Sequence, residues 1–424
     1  MSGYNGIRHA VQTKGGQMNS VAITIALVTY AGVAIGGFPG LALDRTGIAL
    51  LGAIAMVVTG VLSAQDAVMS VDLPTILLLY GLMVLSSQFR LGGFYTEVAL
   101  RLTSFLKKPE RFLFAVMAAS ALLSAILMND IVCLAFTPVL AVSVLSAGLN
   151  PVPFLIGLAA ASNIGSAATI IGNPQNMLIG QLGMLDFKGF FLWCAPPALL
   201  SLGASYLIIR AIYKKELSKS PLLSGNRETD LPAFDHHQSM KGLIAATVLI
   251  GLFFTHIPRE ISAICIAGLL LCSRRMHTRT ILGLVDWHLI TLFCGLFIVI
   301  RGLEMTRLPL IIIDSLSSHG IDIRNFFVLT ITSGILSNIV SNVPATMLLT
   351  KFLDPSAHTQ WYVLAISSTF AGNLITIGSI ANLITFEQAR EYGIEIGFRE
   401  HAKAGIPVTL ASFAIAVAWM VLVP

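Results

Sequence analysis

Charge is scarce in this sequence: only 11% of its 424 residues are Asp, Glu, Lys or Arg, less than half the ~25% of ordinary soluble domains. Hydrophobic residues make up 55%, and the mean hydropathy is +0.83. A water-soluble fold cannot hide that much apolar surface, so the solvent must be a bilayer. Catalytic signatures are also missing. There is no Gly-x-x-x-x-Gly-Lys-Ser/Thr loop and no His-Glu-x-x-His pair, which argues against ATP hydrolysis by this chain and against zinc-protease chemistry. No nucleophile–base constellation or metal cluster emerges, so the chain is read as no enzyme and as needing no cofactor beyond a coupling ion. The five cysteines (Cys133, Cys194, Cys265, Cys272, Cys294) lie in or beside apolar stretches, without CxxC or Cys/His spacing. That excludes a disulfide framework or a zinc site and leaves small core hydrophobes. The net charge of +5 is not gathered into a basic run interleaved with aromatics. It therefore reads as Lys and Arg in cytoplasmic loops rather than a nucleic-acid surface.

What is present is a succession of apolar stretches: 20–40, 46–64, 74–90, 110–128, 131–148, 152–182, 188–212, 241–257, 260–274, 286–302, 323–352, 358–386 and 402–424. Weaker amphipathic stretches cover 93–106 and 304–318. The first apolar stretch follows Arg8 and Lys14 and could be a signal peptide, but the second half has a matching first stretch. One long polar linker, from Lys214 to Met240, sits at the middle of the chain.

That position invites a search for an internal repeat. Asp72-Leu-Pro-Thr-Ile-Leu-Leu-Leu-Tyr-Gly81 matches Asp286-Trp-His-Leu-Ile-Thr-Leu-Phe-Cys-Gly295, 214 residues on. Ser124-Ala-Ile-Leu-Met-Asn129 matches Ser337-Asn-Ile-Val-Ser-Asn342, 213 residues on. Ala161-Ser-Asn163 matches Ala371-Gly-Asn373, and Ile171-Gly-Asn-Pro-Gln-Asn176 matches Ile377-Gly-Ser-Ile-Ala-Asn382, at offsets of 210 and 206. Each match is weak alone; four in one order, near half the chain length, are not. Duplicated halves are a common transporter architecture. Stretches 110–128 and 131–148 meet at Asn129-Asp130 without room for a loop, which predicts a re-entrant hairpin with a buried polar tip. Its counterpart is 323–352, with Ser341-Asn342 at the tip. Five spans plus a hairpin per half is an odd number, so the halves are inverted.

The predicted fold is an all-α membrane protein of about ten transmembrane helices plus two re-entrant hairpins in two inverted repeats. It divides into a tail at 1–19, a first repeat at 20–213, a cytoplasmic linker at 214–240 and a second repeat at 241–424. This topology puts eighteen of the 26 Lys and Arg residues in cytoplasmic loops, with both termini outside.

Asp130 is the only acidic residue between Glu110 and Asp186. A carboxylate at bilayer depth costs about 2.5–3.5 kcal/mol on insertion scales, which makes it a functional candidate. The plainer alternative is a helix cap at the membrane surface. The matching position is Val343, so coupling through this acid is asymmetric between the halves. The segment from Asn163 to Asn176 interrupts an apolar stretch with Gly165, Gly172 and Pro174, and carries Asn163, Ser166, Thr169, Asn173, Gln175 and Asn176. A broken helix frees carbonyls for a cation and N–H groups for an anion; otherwise it is a structural kink. The matched break contributes Asn373, Thr376, Ser379 and Asn382, and the second tip contributes Ser341 and Asn342. A sodium site near Asn129 and Asn163 is conceivable. Cys133 is better read as core than as a soft ligand, and His236-His237 as solvated. Arg301 and Glu304 are spaced for an i,i+3 pair.

These motifs carry a resemblance. Asn129-Asp130 followed by Thr137-Pro138, Ile171-Gly-Asn-Pro-Gln-Asn176, Ser341-Asn-Val-Pro-Ala-Thr346 and Ile377-Gly-Ser-Ile-Ala-Asn-Leu-Ile384 look like the ion transporter superfamily. That group holds arsenite permeases, citrate and dicarboxylate carriers and sodium/proton antiporters. The likeness covers nearly the whole chain and is strongest to a bacterial inner-membrane anion permease branch near the arsenite permeases. It implies a scaffold and a transport subdomain with opposed hairpins, a homodimer, elevator-type alternating access and binding residues at the tips and breaks. The dicarboxylate carriers have Ser-Asn-Thr at both tips. Here the tips read Met128-Asn-Asp130 and Ser341-Asn-Val343, which speaks against sodium-coupled dicarboxylate uptake, while the acidic tip resembles the arsenite-permease pattern. The resulting expectation is a multi-pass protein of the inner membrane, an ion-coupled secondary transporter of a small anion or oxyacid using a proton or sodium. Alternatives are an arsenite/antimonite efflux permease, a sodium/proton antiporter, or, in another class, a passive channel.

Overall fold

The structure is a computed structural model describing residues 2–37, 40–221, 234–306 and 308–423. Among these residues every regular element is helical. The first half runs α1 (Ser2–Ile35), α2 (Arg45–Val58), α3 (Ala64–Ser70), α4 (Leu73–Leu91), α5 (Phe94–Leu102), α6 (Pro109–Ile126), α7 (Asn129–Ser146), α8 (Val152–Ser166), α9 (Pro174–Leu182) and α10 (Phe187–Ile212). A short α11 (Lys214–Leu217) follows. The second half runs α12 (His236–Phe253), α13 (Arg259–Leu271), α14 (Thr278–Leu282), α15 (Trp287–Met305), α16 (Leu308–Ser318), α17 (Phe326–Val340), α18 (Asn342–Leu349), α19 (His358–Ala371), α20 (Ile380–Glu391) and α21 (Phe398–Leu422). The expected tail at 1–19 is helical from Ser2 onward, continuous with the first apolar stretch. The expected linker at 214–240 lies partly outside the described residues, which omit 222–233 and so Arg227. Among the described residues seven helices are long and apolar enough to cross a membrane, and α2, α8 and α17 are shorter apolar helices.

Each helix from α1 to α10 has its counterpart eleven labels later. α4 and α15 both begin behind a capping aspartate: Asp72 accepts the Thr75 N–H and Asp286 the Leu289 N–H, each at 2.9 Å. The halves also embrace each other reciprocally. α4 packs on α13 while α15 packs on α2, and α10 packs on α21. Both crossings are close because a glycine faces an alanine. A Cβ on Gly81 would lie 2.7 Å from the Ala263 backbone, and one on Gly295 2.8 Å from that of Ala49. Small residues let helix backbones approach where lipid provides no hydrophobic drive.

The two hairpins and two breaks sit inside this frame. The turn at the first tip is two residues earlier than expected: it is the apolar pair Leu127-Met128, and Asn129 and Asp130 form the first turn of α7. The second hairpin turns through a single residue, Ser341, at φ 75° and ψ 159°. The apolar stretch 152–182 is not one helix, because α8 stops at Ser166 and Pro174 restarts the chain as α9. In the second half α19 stops at Ala371, a 3-10 turn spans Thr376–Gly378, and α20 resumes at Ile380. α7 packs on α20 and α18 on α9, so each hairpin meets the break of the opposite half.

Candidate functional site

Both breaks are held open by the same device. Asn176 Nδ2 donates to the carbonyls of Ser166 (3.3 Å) and Thr169 (3.0 Å), ten and seven residues earlier. Asn382 Nδ2 donates to Gly372 (2.7 Å) and Ile375 (3.5 Å), again ten and seven residues earlier. The expectation that the breaks leave carbonyls free for a cation therefore fails at these four positions, since a buried carbonyl takes the nearest donor. Asn173 caps α9 by accepting the Asn176 N–H (2.8 Å), and its own amide reaches Ser166 Oγ (2.8 Å). Thr169 Oγ1 donates to the Ala125 carbonyl of α6 at 2.5 Å. Ser166, Thr169, Asn173 and Asn176 thus brace the first break.

Asn163 is the hub between the halves. Its Nδ2 donates to Asn373 Oδ1 (2.9 Å) and Asn382 Oδ1 (3.2 Å). Its Oδ1 accepts from Asn129 Nδ2 (3.2 Å) and Ser379 Oγ (2.9 Å). The first tip is fixed by the Asn129 N–H donating to the Gly172 carbonyl at 3.1 Å. The second tip docks on the equivalent carbonyl: with its amide nitrogen turned inward, Asn342 donates to Gly378 (2.9 Å) and Ser368 (3.2 Å).

Between the tips lies a cavity whose space for the centre of a water molecule is about 20 Å³. Asn129 and Asp130 line it from the first tip, Ser341, Asn342 and Val343 from the second, and Pro174, Gln175, Ser379 and Ile380 from the break helices. Asp130 is half-buried and forms no hydrogen bond or ion pair among the described residues, so it caps nothing. Asn129 Oδ1 is buried without a protein donor, as is Thr376 Oγ1. Among the described residues no lysine, arginine or histidine lines the cavity.

The structure brings Asn129, Asp130, Ser341, Asn342 and Ser379 to the cavity and places Asn163, Asn373 and Asn382 directly behind them. Sequence reasoning passed over Thr369, whose hydroxyl lies 3.3–3.4 Å from the side chains of Asn173, Gln175 and Asn176. A threonine within a helical stretch gives no local signal for that role. Arg301 and Glu304 do pair, at 3.2 Å, and Lys351 joins Glu304 at 2.9 Å. Cys133 is buried, and His236 and His237 are exposed.

Known proteins resemble this chain along most of its length. An uncharacterised transporter of Mycobacterium tuberculosis is 28% identical, covering 95% of this chain and 98% of its own. A silicon efflux transporter of Oryza sativa subsp. japonica is 29% identical, covering 89% and 93%. The crystal structure of the YdaH transporter of Alcanivorax borkumensis, described as having an unusual topology, shares the fold with a TM-score of 0.58 at 15% identity, covering 96% and 97%. The citrate transporter family model matches residues 25–371, a stretch that takes in both hairpins and the whole first break. The chain is therefore a membrane transporter and not an enzyme, and it belongs to the citrate transporter family.

Proposed function

We propose that the protein is an ion-coupled secondary transporter of the elevator type in the cytoplasmic membrane. Its solute is a small, hydroxyl-rich oxyacid carried in neutral form, and its coupling ion is a proton held by Asp130. The observation that carries this reading is the convergence of both tips and both break helices on one cavity holding a single carboxylate and no cationic side chain. A tricarboxylate entering there meets Asp130 with no positive partner, and like charges in a poorly solvated site repel strongly. Asn129 Oδ1 and the Asp130 carboxylate are both acceptors without protein donors. The hydroxyls of a neutral oxyacid supply donors, and buried acceptors gain most from being satisfied. The name of the rice relative, a silicon efflux transporter, points to the same solute class. A proton is favoured over sodium because Asn163 Oδ1, the obvious ligand oxygen, already accepts two hydrogen bonds.

The cavity admits about one water and no oxyacid. The tips must part to load solute, which suits a gated carrier better than an open channel. Thermal unfolding of the purified protein with silicic acid, arsenite, citrate, succinate, sulfate, sodium or lithium tests the solute class. A ligand that binds only the folded state raises Tm by mass action. The expected result is a rise with silicic acid or arsenite and none with citrate. A rise with citrate alone contradicts the oxyacid reading.

A further inference from the structure

The two halves are alike in chain but unlike in contact, and the difference centres on a pair of arginines. Arg259 opens α13 and Arg45 opens α2, 214 residues apart, the same offset that relates Gly81 to Gly295. Arg259 reaches from its frame helix to the end of break helix α9. Its Nη1 donates to the Leu185 carbonyl (2.8 Å), and its Nη2 to the Gly180 carbonyl (2.7 Å) and Gln181 Oε1 (2.9 Å). Arg45 has no hydrogen bond or ion pair among the described residues. Likewise α9 packs on α4, while no comparable packing joins its counterpart α20 to α15 among those residues.

The end of α20 nevertheless has the same receiving geometry. Both break helices finish in a left-handed residue, Met184 at φ 46° and Gly393 at φ 74°. In both, the next N–H reaches back five residues: Leu185 to Gly180 and Ile394 to Ala389, each at 3.0 Å. The α20 end adds Glu387, Glu391 and Glu395, all exposed and in no ion pair among the described residues. Carboxylates at a helix C-terminus are disfavoured by its dipole, and a nearby cation relieves this. Arg390 stands where α9 has Gln181, and three carboxylates outweigh it. Chain direction places the two ends apart: α10 separates α9 from the linker, and α12 separates the linker from Arg259. Arg259 and the α9 end therefore share the face away from the linker, and Arg45 and the α20 end share the linker's face.

We propose that Arg259 and Arg45 are alternating latches. Arg259 holds the α9 end in the conformation described, and Arg45 takes the same hold on the α20 end in the opposite conformation. Inverted repeats that exchange conformations predict that each contact formed by one half is formed by the other after the transition. The latch rests on the alternating-access reading given above.

Paired cysteines test it in membrane vesicles, with the native cysteines replaced. Gln181→Cys with Arg259→Cys reports the contact present here, and Arg45→Cys with Arg390→Cys reports its counterpart. Both pairs are expected to be joined by a bifunctional thiol reagent long enough to replace the two side chains, since a direct disulfide needs a closer backbone approach than a tip-to-tip contact gives. A variant carrying all four cysteines is expected to form one link or the other in any molecule, never both. The proposal is overturned if the second pair never links, if the first fails to link, or if one molecule carries both links. Crosslinking reads motion without solute flux. Latches that alternate in a chain that accumulates no solute contradict the proton coupling and leave the latches standing.

Discussion

At the first tip a carboxylic acid stands where the second half has the buried, apolar Val343. Asp130 is therefore the ionisable side chain among the residues lining the cavity. Asp130→Asn keeps the size and much of the hydrogen bonding but cannot titrate. It is expected to preserve solute exchange in proteoliposome counterflow while losing accumulation driven by a proton gradient. Equal accumulation by mutant and wild type moves the coupling site elsewhere. Asn163 is a different kind of residue, since its amide meets four partners, one on α7 and three at the second break. Asn163→Ala is expected to abolish transport and lower Tm, because each stranded buried polar group costs about 1–3 kcal/mol. An unchanged Tm would show that water replaces the network. Ser341 occupies a backbone region that glycine adopts freely and other residues enter only under strain. Ser341→Gly is expected to stabilise the protein by about 1 kcal/mol, read by denaturation, while removing a hydroxyl from the cavity. Ser341→Ala removes the hydroxyl and keeps the strain, so the two variants separate the effects. Equal stability in both would mean that Ser341 stores no strain.

Among elements, those with local signals were legible in the sequence. Asp72 and Asp286 stand out as matched positions of the two halves, and each caps its own helix, α4 or α15. Gly172 and Pro174 announce the first break because they act on their own backbone. The second break lacks proline and was legible only through its 206-residue match to the first, which the shared reach of Asn176 and Asn382 explains physically. Contacts between distant segments left no such trace. The turn of the first hairpin falls two residues before Asn129-Asp130 because it is the apolar Leu127-Met128, which differs in no local way from the helices it joins. The freed carbonyls looked available because nothing in a linear pattern shows a side chain folding back ten residues. Thr369 and the hub role of Asn163 depend on partners about 200 residues away in the chain. The matched clamps give a paired expectation: Asn176→Ala and Asn382→Ala each remove the donor to two break carbonyls and lower Tm, at about 1–3 kcal/mol per stranded buried group. A loss confined to one of them would show that the breaks are not held alike.

At the scale of the molecule, reciprocal packing of α4 on α13 and α15 on α2 makes a frame, and the hairpins pack on the breaks of the opposite half. A reporter fused within 214–240 is expected to be cytoplasmic and one at the C-terminus to lie across the membrane; finding both on one side contradicts the odd number of crossings per half. The measurement that bears most directly on function is uptake of silicic acid or arsenite into proteoliposomes under an imposed pH gradient. Internal solute is expected to rise above the external concentration and to fall back to it when a protonophore collapses the gradient. Equilibration that never exceeds the external concentration, with the gradient or without it, would contradict ion-coupled transport.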